Sequence, residues 1–503
     1  MAVGAVPAFR SPLIQDLFAA HTFQSGVLPN LATMENPADG FTPTRISSGT
    51  EVLFLPRAAD LGAALAPALT PLWENGLGLV LYRNQEAQVL GAIFLHGAIR
   101  NEWNAIQNGA FQCLGGIMLF SDDPRENKSE AALIADVVRK STAMTTKWQF
   151  IDANLEAIGH PVLTNLGGGK ATASHPASEK GRRDAVAVTA SVARELGIYI
   201  SGSDQNMTPG LCTYFSEIAP FNFMGAKDHL FPTYAGMGDP SPLTARGVYE
   251  ALRTTRQKLL SGHKGPIFFQ GYGNVGTPMV RFAVQDGHSI SGIMDIDVNK
   301  LAAARRDGIK APLFLQVGAK SDIDPALLSA VQENNITIVA ELSSALAQAP
   351  ETTIFSPNAG PHPITQEVAE YLANSEVRAV IGAANNVIDT VGGSIEPLAS
   401  LLQSKGIFVP NDSETNQMGA LSVTVRRIGL NEDGLLRAAV GVGSLTELSL
   451  ASFRSHTAPQ IARDREAKRR FNRLVRDGRA VGGPFPGVDD DGEGAQETLD
   501  QRA

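Results

Sequence analysis

At 503 residues the chain is long for one hydrophobic core, so two or three domains are expected, and 43% hydrophobic residues supply the material for them. A net charge of −9 and a pI near 5.6 argue against a dedicated nucleic-acid binder. Two cysteines, Cys113 and Cys212, exclude a disulfide framework and a four-thiolate zinc site, and no apolar run approaches the roughly 18–20 residues that span a bilayer. The N-terminal stretch is broken by Pro7, Arg10, Pro12 and Asp16 and makes a poor secretory signal, so a soluble, cytoplasmic protein is expected.

Residues 1–50 are rich in Pro, Gly, Ser and Thr and read as an irregular arm with a short helix near 12–20. Short apolar runs over 51–55, 76–83, 88–97 and 115–120, bounded by Gly, Asn or Asp, read as strands. Residues 129–159 have helical spacing, with Leu133, Val137, Val138 and Ser141 on one stripe. A second helix covers 182–196 and stops at Gly197; 198–204 then reads as a strand. A helix over 245–260, with Thr244 as a plausible N-cap, opens a different texture: strand-like runs at 311–315, 336–341, 352–357, 378–383 and 406–410 with helical stretches between them. That alternation predicts a parallel sheet covered on both faces. Residues 424–478 read as mostly helical, and the basic run 463–479 as a solvated amphipathic helix. The acidic end from Pro484 onward lacks the apolar surface to fold alone and is expected to be disordered.

Gly271-Tyr272-Gly273-Asn274-Val275-Gly276 follows the apolar run Ile267–Gln270 and opens a helix. The first glycine permits the tight turn, the second lets backbone approach a pyrophosphate, and the third lets helix and strand pack closely. The helix N-terminus offers N–H groups and partial positive charge to the phosphates. Asp295, nineteen residues after Gly276, ends the next predicted strand and suits the ribose hydroxyls of NAD; Asp297 is the alternative. Arg305 and Arg306 suit the 2′-phosphate of NADP, so that cofactor stays open.

Several blocks, in order, carry a resemblance: Leu114-Gly115-Gly116, Ala143 to Lys147, Leu166 to Lys170, Tyr199 to Asp204, Pro240 to Tyr249, the glycine turn, Gly382 to Asn386 and Asn416 to Ala420. Together they resemble the glutamate/leucine/phenylalanine/valine dehydrogenase superfamily, its leucine dehydrogenase branch in particular, over roughly 80–450. The resemblance implies an α/β protein of two domains, an α+β substrate and oligomerisation domain and a Rossmann-type NAD-binding domain, separated by a cleft with hinges near 238–246 and 420–428. It divides the chain into an arm (1–50), a substrate domain (51–243, completed by helices in 426–478), a dinucleotide domain (244–425) and an acidic tail (479–503).

The implied activity is reversible NAD-dependent oxidative deamination of an L-amino acid with an apolar or aromatic side chain to the 2-oxo acid and ammonia, hydride passing from Cα to nicotinamide C4. Lys147 matches the lysine that holds the α-carboxylate. Lys170 matches the catalytic lysine, whose desolvated amine activates water, and Asp204 matches its proton-exchanging partner. Thr244 and Asn385 match residues on the nicotinamide side, and Asn416 one near the substrate. Leu114 stands where the glutamate branch has a lysine, and Leu114, Gly115, Gly116, Gly202, Ala420 and Val423 would line a pocket for an apolar side chain. Small-molecule substrate, homo-oligomer and no membrane or nucleic-acid partner follow. No Cys/His/Asp spacing suggests a metal site.

Four departures from the family pattern leave two other readings open, an oxidoreductase of this fold acting on an unusual amine or imino acid, and a catalytically dead NAD-binding scaffold. Met118 replaces an arginine. The stretch from Lys147 to Lys170 is longer than in the leucine branch, Ala171-Thr172 follows the catalytic lysine, and Gln417-Met418 replaces a pair of small residues. His160 and His175, near the glycine-rich loop, read as solvated or supporting residues.

Overall fold

A computed structural model gives the structure of the protein and describes residues 12–31, 34, 40–62, 66–73, 76–96, 111–112, 115–122, 130–160, 168–200, 202–203, 206–219, 240–317, 325–360, 362–391, 394–422, 430–477, 485 and 488. It comprises two compact units. One is Met1–Gln149, Leu163–Gly238 and Glu466–Ala503; the other is Phe150–Val162 and Asp239–Arg465.

The strands of the first unit, in chain order, are β1 (Gln24–Ser25), β2 (Thr44–Arg45), β3 (Glu51–Leu55), β4 (Gly78–Asn84), β5 (Val89–Leu95), β6 (Phe111–Gln112), β7 (Gly116–Ser121), β8 (Gly169–His175), β9 (Ile198–Tyr199) and β10 (Gly202–Ser203). All but β6 and β9, which pair with each other, lie in one sheet of order β1-β2-β3-β4-β5-β8-β7-β10. It is antiparallel from β2 to β8 and parallel through β8, β7 and β10.

Helices cover both faces, which is why β4 and β5 are apolar runs rather than alternating ones. On one face α1 (Pro12–Ala19), α2 (Ala66–Trp73) and α3 (Glu130–Ala157) pack Phe18, Trp73 and Val137 against Leu79, Phe94 and Met118. On the other, α4 (Glu179–Leu196) and α5 (Pro209–Ile218) pack Val186 and Phe215 against Ile93, Ile117 and Ala171. Local chemistry sets the helix ends. Ser178 caps α4 by accepting from Gly181 N, Gly197 ends it at φ +66°, and Thr208 caps α5 ahead of Pro209.

The arm carries the expected short helix as α1 and packs onto the unit. Ile14 and Phe18 join one core of this unit, Leu28, Leu31 and Ile46 the other, and β1 and β2 extend the sheet. Strands of two residues have no period for a sequence to display. Of the tail, Phe485 is buried against Phe471 and Leu474.

In the second unit α6 (Ser241–Lys258) precedes β11 (Ile267–Gln270), α7 (Gly276–Gln285), β12 (Ile290–Asp295), α8 (Val298–Arg306), β13 (Leu313–Gln316), α9 (Pro325–Glu333), β14 (Ile336–Val339), α10 (Leu342–Ala347), β15 (Ile354–Pro357), α11 (Gln366–Ala373) and β16 (Ala379–Val380). The sheet is wholly parallel in the order β14-β13-β12-β11-β15-β16. Strand order reverses between β11 and β15, the place where open α/β sheets receive ligands at their carboxyl ends. The remaining helices are α12 (Glu396–Ser404), α13 (Asp412–Thr415), α14 (Met418–Ser422), α15 (Glu432–Arg454) and α16 (Pro459–Arg476), the last continuing into the first unit from Glu466.

Helix α15, expected with the substrate domain, belongs to this unit. Val442 and Gly443 of α15 lie against Gly247 and Thr254 of α6, a close packing that small residues permit. Residues 150–162, within the insertion, also belong here: Asn154 donates to Ala438 O (2.8 Å) and Gln417 Oε1 (3.2 Å). Among the described residues no helix is long and apolar enough to cross a membrane.

Candidate functional site

The glycine turn leaves β11 at the reversal point of the second unit. Gly271 adopts φ +93°, and a Cβ there would sit 2.7 Å from Ala359 Cβ. A Cβ on Gly276 would overlap the Gly271 carbonyl, which fixes glycine where α7 meets the strand. Gly273 differs, because the nearest atom to a Cβ there is Lys300 Nζ at 3.8 Å. That open backbone, leading into Asn274 and Val275 and a helix start with neither a side-chain cap nor an acid in its first turn, fits a dinucleotide's pyrophosphate.

Asp295 ends β12 and is 6% exposed. Its Oδ2 accepts from Tyr272 N (2.7 Å) and its Oδ1 from Asp297 N (3.0 Å), so one carboxylate braces the glycine turn from the next strand. Lys300 Nζ lies 3.8 Å from Oδ1. Asp297 caps α8 by accepting from Asn299 N (2.9 Å). Arg305 is committed to structure: it donates to the carbonyls of Asn334 (3.0 Å), Ile309 (2.8 Å) and Ala311 (2.7 Å).

Asn358 follows β15 and is missing from the sequence-based list. Its N donates to Gln270 O (2.7 Å), its Oδ1 accepts from Ala383 N (3.1 Å), and its Nδ2 donates to Ser356 O (3.0 Å). It therefore ties β11, β15 and the loop after β16 together at the reversal point. A polar residue straight after the run Ile354–Pro357 was the signal available in the sequence. Beyond it, Asn416 Nδ2 donates to Asn385 Oδ1 (3.1 Å) and Ala383 O (3.1 Å), while Asn416 Oδ1 is buried without a hydrogen-bond partner among the described residues. Thr244 Oγ1 donates to Pro240 O (3.1 Å), and a Cβ on Gly419, next to Ala420 in α14, would meet that hydroxyl at 2.5 Å.

In the first unit, Gly202 pairs with Gly116, and Ile117 pairs with Ala171. One place earlier on β8 stands Lys170, whose partner on β5 is Phe94. Gly202, Gly116 and Lys170 therefore follow one line across the sheet, and Lys170 shares the face that α3 covers. A Cβ on Gly115 would overlap Gly169 O and sit 3.3 Å from Lys170 Cδ, so the Gly-Gly pair lets the loop close down beside the lysine stem. Lys147 lies buried on α3. Thr145 of that helix accepts from Gly168 N (2.9 Å), and a Cβ on Gly168 would overlap Ser141 O and the Thr145 backbone. Gly168 is thus pressed onto the helix that carries Lys147.

His96 completes this packing and is also missing from the sequence-based list. Its N donates to Gly168 O (2.9 Å), and its Nδ1 lies 2.9 Å from Thr145 Oγ1. The ring is fully buried, and burial together with the nearby Lys468 pushes its pKa down to about 3. Between that value and the unfolded value of about 6.5, the unfolded chain binds a proton that the fold refuses. This contribution is complete above about pH 6.5 and drains away toward pH 3, by roughly 5 kcal/mol in the limit. His96→Gln is expected to flatten the fall of urea stability between pH 7 and 4; parallel curves for the two proteins would place the acid sensitivity elsewhere.

Residues 236–425 match the family model for glutamate/leucine/phenylalanine/valine dehydrogenase. Leucine dehydrogenase of Bacillus cereus is 24% identical over 366 residues, 72% of this chain and 84% of that protein. Phenylalanine dehydrogenase of Lysinibacillus sphaericus is 27% identical over 329 residues, 64% of this chain and 72% of that one. Over these stretches the chain is similar to the glutamate/leucine/phenylalanine/valine dehydrogenase superfamily, at a divergent distance. Solved structures agree on the fold. Hetero-hexameric glutamate dehydrogenase from Thermus thermophilus has a TM-score of 0.52 at 14% identity, covering 93% of this chain and 95% of that one. L-Tryptophan dehydrogenase from Nostoc punctiforme has a TM-score of 0.50 at 18% identity, covering 78% and 94%.

The departures from the family pattern have local explanations. Met118 is buried in β7, and Lys140 of α3 donates to its sulfur (2.9 Å), bringing a cation to the strand position where the family has arginine. Gln417 and Met418 are fully buried inside the second unit. Gln417 bridges Asn154 and Glu414 O, and Met418 Cγ lies 2.6 Å from where a Cβ on Gly247 would be. His175 closes β8 with its Nδ1 on Pro176 O (2.8 Å), and His160 N donates to Leu155 O (3.0 Å) at the end of α3. Asp204, Leu114 and Val423 lie outside the described residues. Among the described residues no cluster of three or more His, Cys, Asp or Glu side chains could hold a metal ion.

Proposed function

We propose that the protein oxidises an L-amino acid with an apolar or aromatic side chain to its 2-oxo acid, releasing ammonia and reducing NAD, in a reversible reaction. The observation that carries this reading is the line Gly202–Gly116–Lys170 on the sheet face beneath the helix of Lys147. Lys147 would hold the substrate carboxylate as a point charge. Lys170 Nζ would take a proton from the water that attacks the imine carbon and return it as ammonia leaves, with Asp204 exchanging protons with the amino group. Gly271, Gly273, Gly276 and Asp295 would hold the dinucleotide, and when bound its nicotinamide supplies the hydride acceptor. The inward packing of Gln417 and Met418 favours this reading over a dead scaffold, since Gln417 is held by Asn154 and Glu414 O and Met418 lies against Gly247. Homo-oligomerisation through the first unit belongs to the same proposal.

The test is a panel of L-amino acids with NAD, followed by the absorbance of reduced nicotinamide, and the reverse panel of 2-oxo acids with ammonia. Turnover of apolar or aromatic substrates is the expected result; silence in both directions overturns the proposal. Asp295 speaks for NAD, because a 2′-phosphate would meet its carboxylate while Arg305 is committed to carbonyls. Asp295→Ser is expected to narrow the NAD over NADP preference in kcat/KM by about tenfold or more. An unchanged ratio would give that role to another residue.

A further inference from the structure

Next to the lysine-bearing face of the first unit, the C-terminal segment makes a contact that the proposed chemistry does not account for. Phe485 is 5% exposed and lies with its ring centroid 5.1 Å from that of His96; Phe471 lies 6.4 Å from His96 and 5.6 Å from Phe485. The segment is held by backbone bonds that any sequence there could make. Phe485 N donates to Asn472 Oδ1 (2.7 Å), and Asn472 Nδ2 donates to Phe485 O (3.1 Å) and, at 3.4 Å, to Val488 O. Asn472 is itself buried, so its amide is desolvated in order to grip this one segment. Lys468 Nζ stands 5.4 Å from the Phe485 ring centroid.

Through His96 the aromatic pair touches Gly168 and Thr145, each two positions from a proposed substrate lysine, Lys170 and Lys147. His96 Nε2 is buried and has no hydrogen-bond partner among the described residues, so this packing leaves one polar atom unsatisfied beside the two lysine-bearing segments. We infer that Phe485 is a specificity-determining residue, the wall against which the substrate's side chain is sized, held in place by Asn472. This rests on the deamination reading above, and it adds a determinant from far outside the blocks that carry the family resemblance.

The experiment is the amino-acid panel repeated on the full chain with Phe485→Ala, Phe485→Leu and Asn472→Ala, alongside KM for NAD and thermal melting. Enlarging the wall is expected to shift relative kcat/KM by about tenfold or more from leucine and valine toward phenylalanine and tryptophan, with KM for NAD unchanged. Phe485→Leu should shift less, and it keeps the test alive if the alanine variant fails to fold. A uniform loss across the panel, or an unchanged order of substrates, overturns the inference while leaving the deamination reading intact. A wild type silent on the whole panel overturns both.

Discussion

Lys170→Ala is expected to lower kcat by about a thousandfold while NADH binding and thermal stability stay close to wild type. The separation is the informative part. Lys170 occupies β8 between β5 and β7, so the backbone ladder on both sides survives removal of the side chain. Its stem beside Gly115 is half-buried, and its truncation opens space without burying a charge. The glycine turn and Asp295 belong to the other unit, and cofactor titration followed by NADH fluorescence should not notice the change. Partial rescue of turnover by a small alkylamine would show that the amine itself is what is missing. A variant that keeps a tenth or more of wild-type kcat would remove Lys170 from its proposed role.

The largest effect on stability is expected at Arg463. Glu414 is completely buried in α13, and Arg463 is 4% exposed. Arg463 Nε donates to Glu414 Oε2 (2.7 Å), Ser449 Oγ of α15 donates to Glu414 Oε1 (2.9 Å), and the guanidinium lies 5.5 Å from the centre of the Phe150 ring. Arg463→Met takes away the counter-charge and leaves a carboxylate in the interior, a change that typically costs about 3–5 kcal/mol. For a unit of this size that corresponds to a melting temperature lower by about 10 °C. The double variant Glu414→Gln with Arg463→Met should recover much of the loss, since it no longer buries an unmatched charge. Asn416 and Gln417 lie two and three residues beyond Glu414, so NADH affinity is expected to weaken with stability in the single variant. A melting temperature within about 2 °C of wild type would mean that the pair is worth no more than a surface one.

Much of the architecture was legible because it rests on local rules. Parallel strands buried on both faces must be apolar runs, as at Ile267–Gln270 and Ile354–Pro357. Gly271 and Gly276 have no steric alternative, so the turn could be read one residue at a time. An acid at the end of the next strand completed the pattern, although Asp295 also braces the turn itself, which spacing does not reveal. Lys147 and Lys170 were found by their blocks, and the register placed Lys170 in line with Gly116 and Gly202.

What the sequence determined by itself was therefore the order of elements, the glycine turn and the lysine-bearing blocks, because each depends on the steric and chemical needs of a few neighbouring residues. Tertiary structure alone decided the rest. His96 is one histidine after an apolar strand, and only the approach of Gly168 and Thr145 from distant segments makes it a packing centre. Gln417 looked like an obstruction until Asn154, from the insertion, was seen to receive it. Phe485 sits in an acidic stretch whose composition argues for disorder, yet this residue is held by a reciprocal pair of hydrogen bonds with Asn472 and an aromatic contact. Burial and pairing between residues far apart in the chain are properties of the folded arrangement, and no period or local motif encodes them.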